Sequence, residues 1–165
     1  MHMNGGYPSM FIFPRDTAGW ATVTWGVWER WNIEVAKELI NKYLRLIHAS
    51  TERMPNNENL ALDIDANVGI YTVNLASEFD KLVEIEASPI VSKVLEANVA
   101  TNQLERLVDI RVIALGNDEL MHNMHINLDS SGLSSFETVT EGAKKETAIQ
   151  MHRGDVILNE NYNSF

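Results

Sequence analysis

The stretch Leu60-Ala61-Leu62-Asp63-Ile64-Asp65-Ala66-Asn67-Val68-Gly69-Ile70-Tyr71-Thr72 limits what this chain can fold into more than any other part of it. Leu60, Leu62 and Ile64, with Ala61 and Ala66 around them, make an apolar run of strand length, and acids enter only where the run ends. Asn67 and Gly69 then supply a turn. Glycine tolerates a backbone conformation that other residues resist and lets a ligand approach closely, and the apolar residues from Ile70 to Phe79 predict a helix. Strand, tight loop and helix in that order are one arm of a βαβ unit, and ligands in open α/β sheets bind at such junctions.

The chain returns through a second apolar strand, Lys81-Leu82-Val83-Glu84-Ile85-Glu86, which finishes on a carboxylate. In nucleoside-binding units an acid about 20 residues after the glycine loop accepts hydrogen bonds from the ribose hydroxyls, because its two oxygens match a vicinal diol. Glu86 stands at that separation. A solvated cap at a strand end is the plainer reading of the residue alone, and loop and acid together favour the ribose.

At these residues the chain resembles a known family. Asp63-Ile64-Asp65-Ala66-Asn67-Val68-Gly69-Ile70-Tyr71-Thr72 resembles the first motif of FkbM-type S-adenosylmethionine-dependent methyltransferases, whose pattern runs Asp-Val-Gly-Ala-Asn-hydrophobic-Gly-x-Tyr-Thr. Glu86-Ala87-Ser88-Pro89 is similar to the family's Glu-Pro-x-Pro step, Asn98 and Asn102 fall where its second helix carries asparagines, and Ala114-Leu115-Gly116 resembles its Ala-Leu-Gly turn. Gly132-Leu133-Ser134-Ser135 is similar to its Gly-x-Ser-Ser segment, so the resemblance spans about Glu29 to Leu158. It implies a Rossmann-like class I methyltransferase sheet of the α/β class with S-adenosylmethionine as cofactor. Asp63, Asp65, Asn67, Gly69, Tyr71 and Thr72 would lie near the methionine end, Glu86 on the ribose, and Ala114 and Leu115 near the adenine. The implied reaction is methyl transfer to an oxygen of a small-molecule or saccharide acceptor, with no residue identified as the catalytic base.

Two departures from the pattern carry expectations of their own. Asp65 stands where the family has its first glycine, and a side chain there is expected to crowd the methionine end and to set a negative charge against the cofactor's carboxylate, with the adjacent ammonium as an offset. The family continues with a Lys-Ile-Asp-Val-Glu-Gly-like strand and further helices. This sequence reaches Phe165 before them, so the resemblance implies the front portion of such a protein, with a truncated sheet.

One domain is expected at 165 residues, and 45% hydrophobic residues are enough to build its core. A net charge of −10, with 13 basic residues scattered among 23 acids, argues against nucleic acid or an anionic membrane surface as a partner. The absence of cysteine excludes disulfides, thiolate zinc sites and cysteine nucleophiles. Met1 to Ser9 lacks the basic start and apolar core of a signal peptide, and no apolar run reaches membrane-spanning length, so a soluble, cytoplasmic protein is expected.

Residues 1–50 read as an extended segment followed by a cap helix, and residues 51–165 as a partial S-adenosylmethionine-binding domain. Trp20, Trp25, Trp28 and Trp31 lie close together, where they could stack a flat substrate or seat the N-terminal helix by packing; packing is the commoner outcome. Thr22, Val23 and Thr24 favour extended structure before the helix. Trp28, Trp31, Val35, Leu39, Tyr43 and Leu46 recur at helical spacing, which predicts a helix from about Val27 to His48 with that face buried. Ser88-Pro89 predicts a capped helix start running to about Thr101, and Val108 to Ile113 alternates as a third strand.

From Glu119 onward helical periodicity disappears, and His122 to Leu128 and Glu146 to Leu158 suggest a β-rich C-terminal extension. His122 and His125 could be a metal pair, but three residues apart on a strand they point to opposite faces, and surface histidines are commoner. His152 and Asp155 could be an acid/base pair, and Arg153-Gly154-Asp155 is a short match to an adhesion motif with no other support. Two further functional classes stay open. One is a non-catalytic or truncated fragment that self-associates or pairs with another chain through an incomplete sheet edge. The other is a nicotinamide-dependent oxidoreductase, which is weaker because Asp63 to Gly69 lacks the three-glycine phosphate loop and Asp65 would repel a pyrophosphate.

Overall fold

The backbone carbonyl of Asp16 accepts the Trp20 N–H at 2.8 Å and opens the first helix, α1 (Thr17–Trp25). It belongs to a computed structural model that describes residues 8–13, 16–25, 28–49, 59–127, 130–137 and 144–157. The extended structure expected over Thr22, Val23 and Thr24 is therefore corrected to helix. Threonine accepts this environment because its hydroxyl can bond back one turn, and Thr24 Oγ1 donates to the Trp20 carbonyl at 2.8 Å.

The second helix, α2 (Arg30–Ala49), lies against later elements through a face other than the expected one. Trp31 is 82% exposed, and Val35, Leu39 and Tyr43 are also exposed; the side chain of Leu46 is outside the described residues. Ile33 is buried in their place, with Ala36, Ile40 and Leu44 partly covered on the same side. Both faces of this helix carry apolar residues, so periodicity identifies a helix and leaves open which stripe meets the sheet. Of the four tryptophans, Trp28 packs against the core, Trp20 and Trp31 are exposed, and the Trp25 side chain is outside the described residues.

Two successive crossovers follow. β1 (Leu60–Ile64), α3 (Ile70–Leu75) with a 3₁₀ turn at Ala76–Glu78, β2 (Lys81–Ile85), α4 (Pro89–Thr101) and β3 (Val108–Arg111) form a parallel sheet of order β1-β2-β3. Among the described residues this is a three-stranded parallel sheet of Rossmann-like α/β type. Register pairs Asp63 with Glu84 and Ile64 with Ile85 across β1 and β2. The helix expected to reach Phe79 ends its regular part at Leu75, and β3 stops two residues short of Ile113. Ser88 caps α4 by accepting the Val91 N–H at 3.4 Å, with Pro89 in the first turn where its missing N–H leaves no bond unmade.

The chain then builds a second sheet. Ala114–Gly116 is a strand, β4, rather than the expected turn: it pairs in parallel with β6 (Lys144–Arg153), which also pairs antiparallel with β5 (Met121–Asn127). The alternation that would have announced a strand cannot register in three residues. Ala114, Met124 and Ile149 form its small core, and Ala87 packs against them.

The main core joins Met10, Ile33, Val68, Ile70, Val73 and Val91, so the N-terminal segment, α2, the loop after β1, α3 and α4 share one apolar interior. Asn98 is fully buried and binds both sides of the junction. Its amide nitrogen donates to the carbonyls of Val68 (2.7 Å) and Phe11 (2.9 Å), and its oxygen accepts the Phe11 N–H at 2.5 Å. The bond to Val68 satisfies a buried carbonyl that would otherwise cost about 1–3 kcal/mol. Among the described residues, no helix is long and apolar enough to cross a membrane.

Candidate functional site

The loop between β1 and α3 is built from alternating left-handed residues: Asp65 (φ 67°), Asn67 (φ 51°) and Gly69 (φ 83°). The amides of Asp65 and Ala66 both donate to the Ile85 carbonyl, at 2.9 and 3.1 Å, and Gly69 closes the turn onto the Ala66 carbonyl at 2.9 Å. Only glycine enters the left-handed region freely, and aspartate and asparagine do so at modest cost. Gly69 has a second reason to be glycine, since a Cβ there would lie 2.5 Å from Leu95 Cδ1.

Asp65 thus holds a conformation suited to glycine, at the position where the resembled motif carries one. Replacing Asp65 with glycine is expected to raise stability by about 0.5–1 kcal/mol, relief of the left-handed strain exceeding the added freedom of the unfolded chain. Urea unfolding of the two proteins checks this, and a lower midpoint for the glycine variant would show that the aspartate is held there by contacts.

Glu86 closes the loop from below. It is only 3% exposed, and its two oxygens accept from separate backbone amides: Oε2 from Asn67 at 2.9 Å and Oε1 from Ser88 at 2.7 Å. Burial, offset by the Ser88 amide and reinforced by the charges of Asp65 and Asp63, raises this carboxyl to about 6. Each oxygen keeps a second lone pair. Asn67 is fixed in turn: its oxygen accepts the Val68 N–H at 2.8 Å, and the Ser131 hydroxyl lies within hydrogen-bond reach of both that oxygen, at 3.0 Å, and the carboxylate of buried Asp16, which also accepts the Ser131 N–H at 3.0 Å. Segments around residues 16, 67 and 131 meet at one point.

Above the loop is a cleft of about 150 Å³, lined by Trp28, Glu29, Asp63, Asp65, Ala66, Asn67, Ile70 and Tyr71. The Tyr71 hydroxyl donates to Glu29 Oε2 at 2.6 Å, and burial together with that carboxylate raises the phenol above its ordinary range. Thr72 is buried in α3 below. The structure therefore brings Asp63, Asp65, Asn67, Gly69, Tyr71, Thr72 and Glu86 to one junction. Ala114 and Leu115 belong to the second sheet. Ala114 sits in the cluster that Ala87 joins, and Leu115 lines a small gap of about 60 Å³ with Leu62, Ile64, Val83 and Ile85.

Glu84 carries no role in the sequence reading, although a charge inside the apolar run Leu82-Val83-Glu84-Ile85 was visible there. It is 0% exposed, with the Asp63 carboxyl and the Thr72 hydroxyl as its polar neighbours. Burial first and the charge of Asp63 second raise it to about 8, and burial raises Asp63 as well. The histidine proposals end differently. His122 bonds Asp118 at 2.9 Å and His125 approaches Glu146 at 3.3 Å, and no group of three ligands able to hold a metal occurs among the described residues. His152 and Asp155 are not a pair: His152 Nδ1 lies 2.7 Å from Glu119 Oε2, and Asp155 is taken by Arg153 at 2.7 Å. Arg153-Gly154-Asp155 is thereby closed on itself.

Fold and loop define a parallel α/β sheet with a ligand-type junction at the carboxyl ends of β1 and β2. No protein-family model matches the sequence, and no curated protein matches it. Among solved structures, a Klebsiella pneumoniae protein assigned as an O-methyltransferase is similar over 44% of this chain and 30% of its own, at 20% identity and a TM-score of 0.34. An O-methyltransferase from Bacillus cereus in complex with SAH is similar over 45% of this chain and 41% of its own, at 18% identity and a TM-score of 0.31. The chain spans less than half the length of either. Likeness of this degree assigns no function.

Proposed function

We propose that the loop at 65–69 and Glu86 hold S-adenosylmethionine, and that the chain belongs to an O-methyltransferase of FkbM type acting on a hydroxyl of a small molecule or saccharide. The observation that carries this reading is the bond from the Asn67 amide to the buried Glu86 carboxylate, which ties the end of β2 to the turn after β1. A carboxylate at the end of β2 suits a ribose diol, and the turn after β1 lies directly against it. Asp63 and Asp65 face the same cleft and suit an ammonium. At about 150 Å³ the cleft takes one end of such a cofactor, since pockets enclosing a whole ligand of that size run to roughly 300–1,000 Å³.

The bound cofactor supplies a methyl group on a sulfonium, already a ready electrophile. The protein's work is then position: Glu86 orients the ribose, Asn67 and Gly69 set the loop, and the Tyr71–Glu29 bond stiffens the wall against which an acceptor would lie. Calorimetric titration with S-adenosylhomocysteine is expected to show saturable binding, weakened about tenfold by Glu86→Ala, a loss of about 1.4 kcal/mol. Asp65→Gly is expected to tighten it. Absence of heat for both the wild-type chain and Asp65→Gly would remove this reading.

One observation favours a second reading, a non-catalytic chain that works through a partner. Among the described residues β1 pairs with β2 alone, and Leu62 and Ile64 on it are exposed. Sedimentation showing a monomer at high concentration would count against this.

A further inference from the structure

We propose that the outward face of α2 is the interface between two copies of this chain, paired antiparallel about a two-fold axis. Trp31, Val35, Leu39 and Tyr43 recur one turn apart along that face, and they are 82%, 50%, 61% and 65% exposed. The opposite side of the helix is already occupied. Ile33 is buried there, Ala36, Ile40 and Leu44 are partly covered, and Asn41 donates to Glu78 at 3.1 Å. A surface helix turns one apolar stripe inward and its charges outward, so a helix that is apolar on both sides has a second face to cover. Covering an aromatic side chain buries about 150–250 Å², and with Val35 and Leu39 added the stripe offers about 500 Å² per copy. A contiguous apolar patch of that size marks an interaction surface.

A second copy is the occupant that fits it. Two such stripes face to face remove about 1,000 Å² from water, the lower bound for a specific interface. Two-fold pairing is self-complementary, and antiparallel helices set Trp31 of one copy near Tyr43 of the other and Val35 near Leu39. The charges on one flank agree with this order. Glu38 and Lys42 are both exposed beside the stripe, and an antiparallel partner presents them in reverse, so the acid of each copy faces the base of the other. Glu34, on the same flank, is engaged by Arg30 at 3.8 Å. Parallel pairing would set this flank against Asn32 and Ala36, where no charge answers it. The net charge of −10 disfavours an anionic membrane as the occupant, and screening confines repulsion between two copies to about 8 Å at physiological salt.

The test is sedimentation equilibrium of the 165-residue chain at physiological salt, from about 1 to about 200 μM, where an interface of this size associates. The average mass is expected to rise from one chain toward two. Trp31→Glu and Leu39→Glu should each weaken pairing by at least about tenfold with an unchanged circular dichroism spectrum, because both side chains are exposed and neither holds the fold. Lys42→Glu and Glu38→Lys should each weaken self-pairing by about threefold, and a one-to-one mixture of the two variants should restore it. A monomer throughout the range, or full pairing in a folded Leu39→Glu chain, would overturn the proposal. So would a mixture that pairs no better than its components. Pairing lost in Ile64→Lys and kept in Leu39→Glu would overturn it as well, by placing the interface on the open edge of β1.

Discussion

Replacing Glu84 with methionine is expected to stabilise the protein at pH 8 by about 3 kcal/mol and to leave it nearly unchanged at pH 5. Glu84 ionises near 4.5 in the unfolded chain and near 8 in the folded one. Below 4.5 both states hold the proton and the group contributes nothing. As pH rises from 4.5 to 8 the unfolded chain loses its proton while the folded chain keeps it, so folding becomes less favourable throughout that window and the loss levels off above 8. A shift of this size corresponds to an effect on the order of 3–5 kcal/mol. Glu86, raised to about 6, and Asp63, also raised, act in the same direction over the lower part of the range.

Methionine fills a similar space, has no charge to bury and suits an apolar strand position. Urea unfolding of both proteins at pH 5 and pH 8 reads the difference. The net charge of −10 gives the wild-type chain its own loss of stability with rising pH, but that is shared by the variant apart from one charge. If the two proteins lose stability in parallel between pH 5 and pH 8, Glu84 is not the group responsible.

Gly69→Ala is expected to cost about 3 kcal/mol. The left-handed backbone at φ 83° accounts for about 1–2 kcal/mol of that, and the new methyl, 2.5 Å from Leu95 Cδ1 and 3.2 Å from Thr72 Oγ1, adds an overpacking cost of about 1–3 kcal/mol. Leu95 is fully buried against Ala66 and Val99, so it has little room to move away. The signature is a lower urea midpoint with an unchanged slope. Combining Gly69→Ala with Leu95→Ala should give less than the sum of the two single losses, because the second change removes the atom that the first one meets. A loss below about 1 kcal/mol for Gly69→Ala alone would show that α4 yields to the loop and that the close packing is not rigid.

The residues that shape the junction after β1 and β2 were legible because their information is local. Gly69 and Asn67 mark a turn by their own backbone preferences, Ser88-Pro89 marks a helix start by the chemistry of one free amide, and Glu86 is placed by counting along the strand. The bond that matters most, from the Asn67 amide to Glu86, was not legible in itself; it follows from the parallel register that sets β1 beside β2. Glu84 could be seen as a charge in an apolar strand, but its state depends on Asp63 lying next to it across that same register.

The sequence by itself determined the two parallel crossovers, the left-handed loop and the cap of α4, since each depends on preferences of residues a few positions apart. Tertiary structure decided which apolar face of α2 is buried, because Ile33 and Trp31 are both hydrophobic and only the position of α3 distinguishes them. It decided that Ala114–Gly116 is a strand, because that assignment comes from pairing with Met151–Arg153, far along the chain. It also decided that His152 belongs with Glu119 and that Asp16, Asn67 and Ser131 meet. Hydrogen bonds between residues tens of positions apart leave no periodic trace; they exist only once the chain has closed around them.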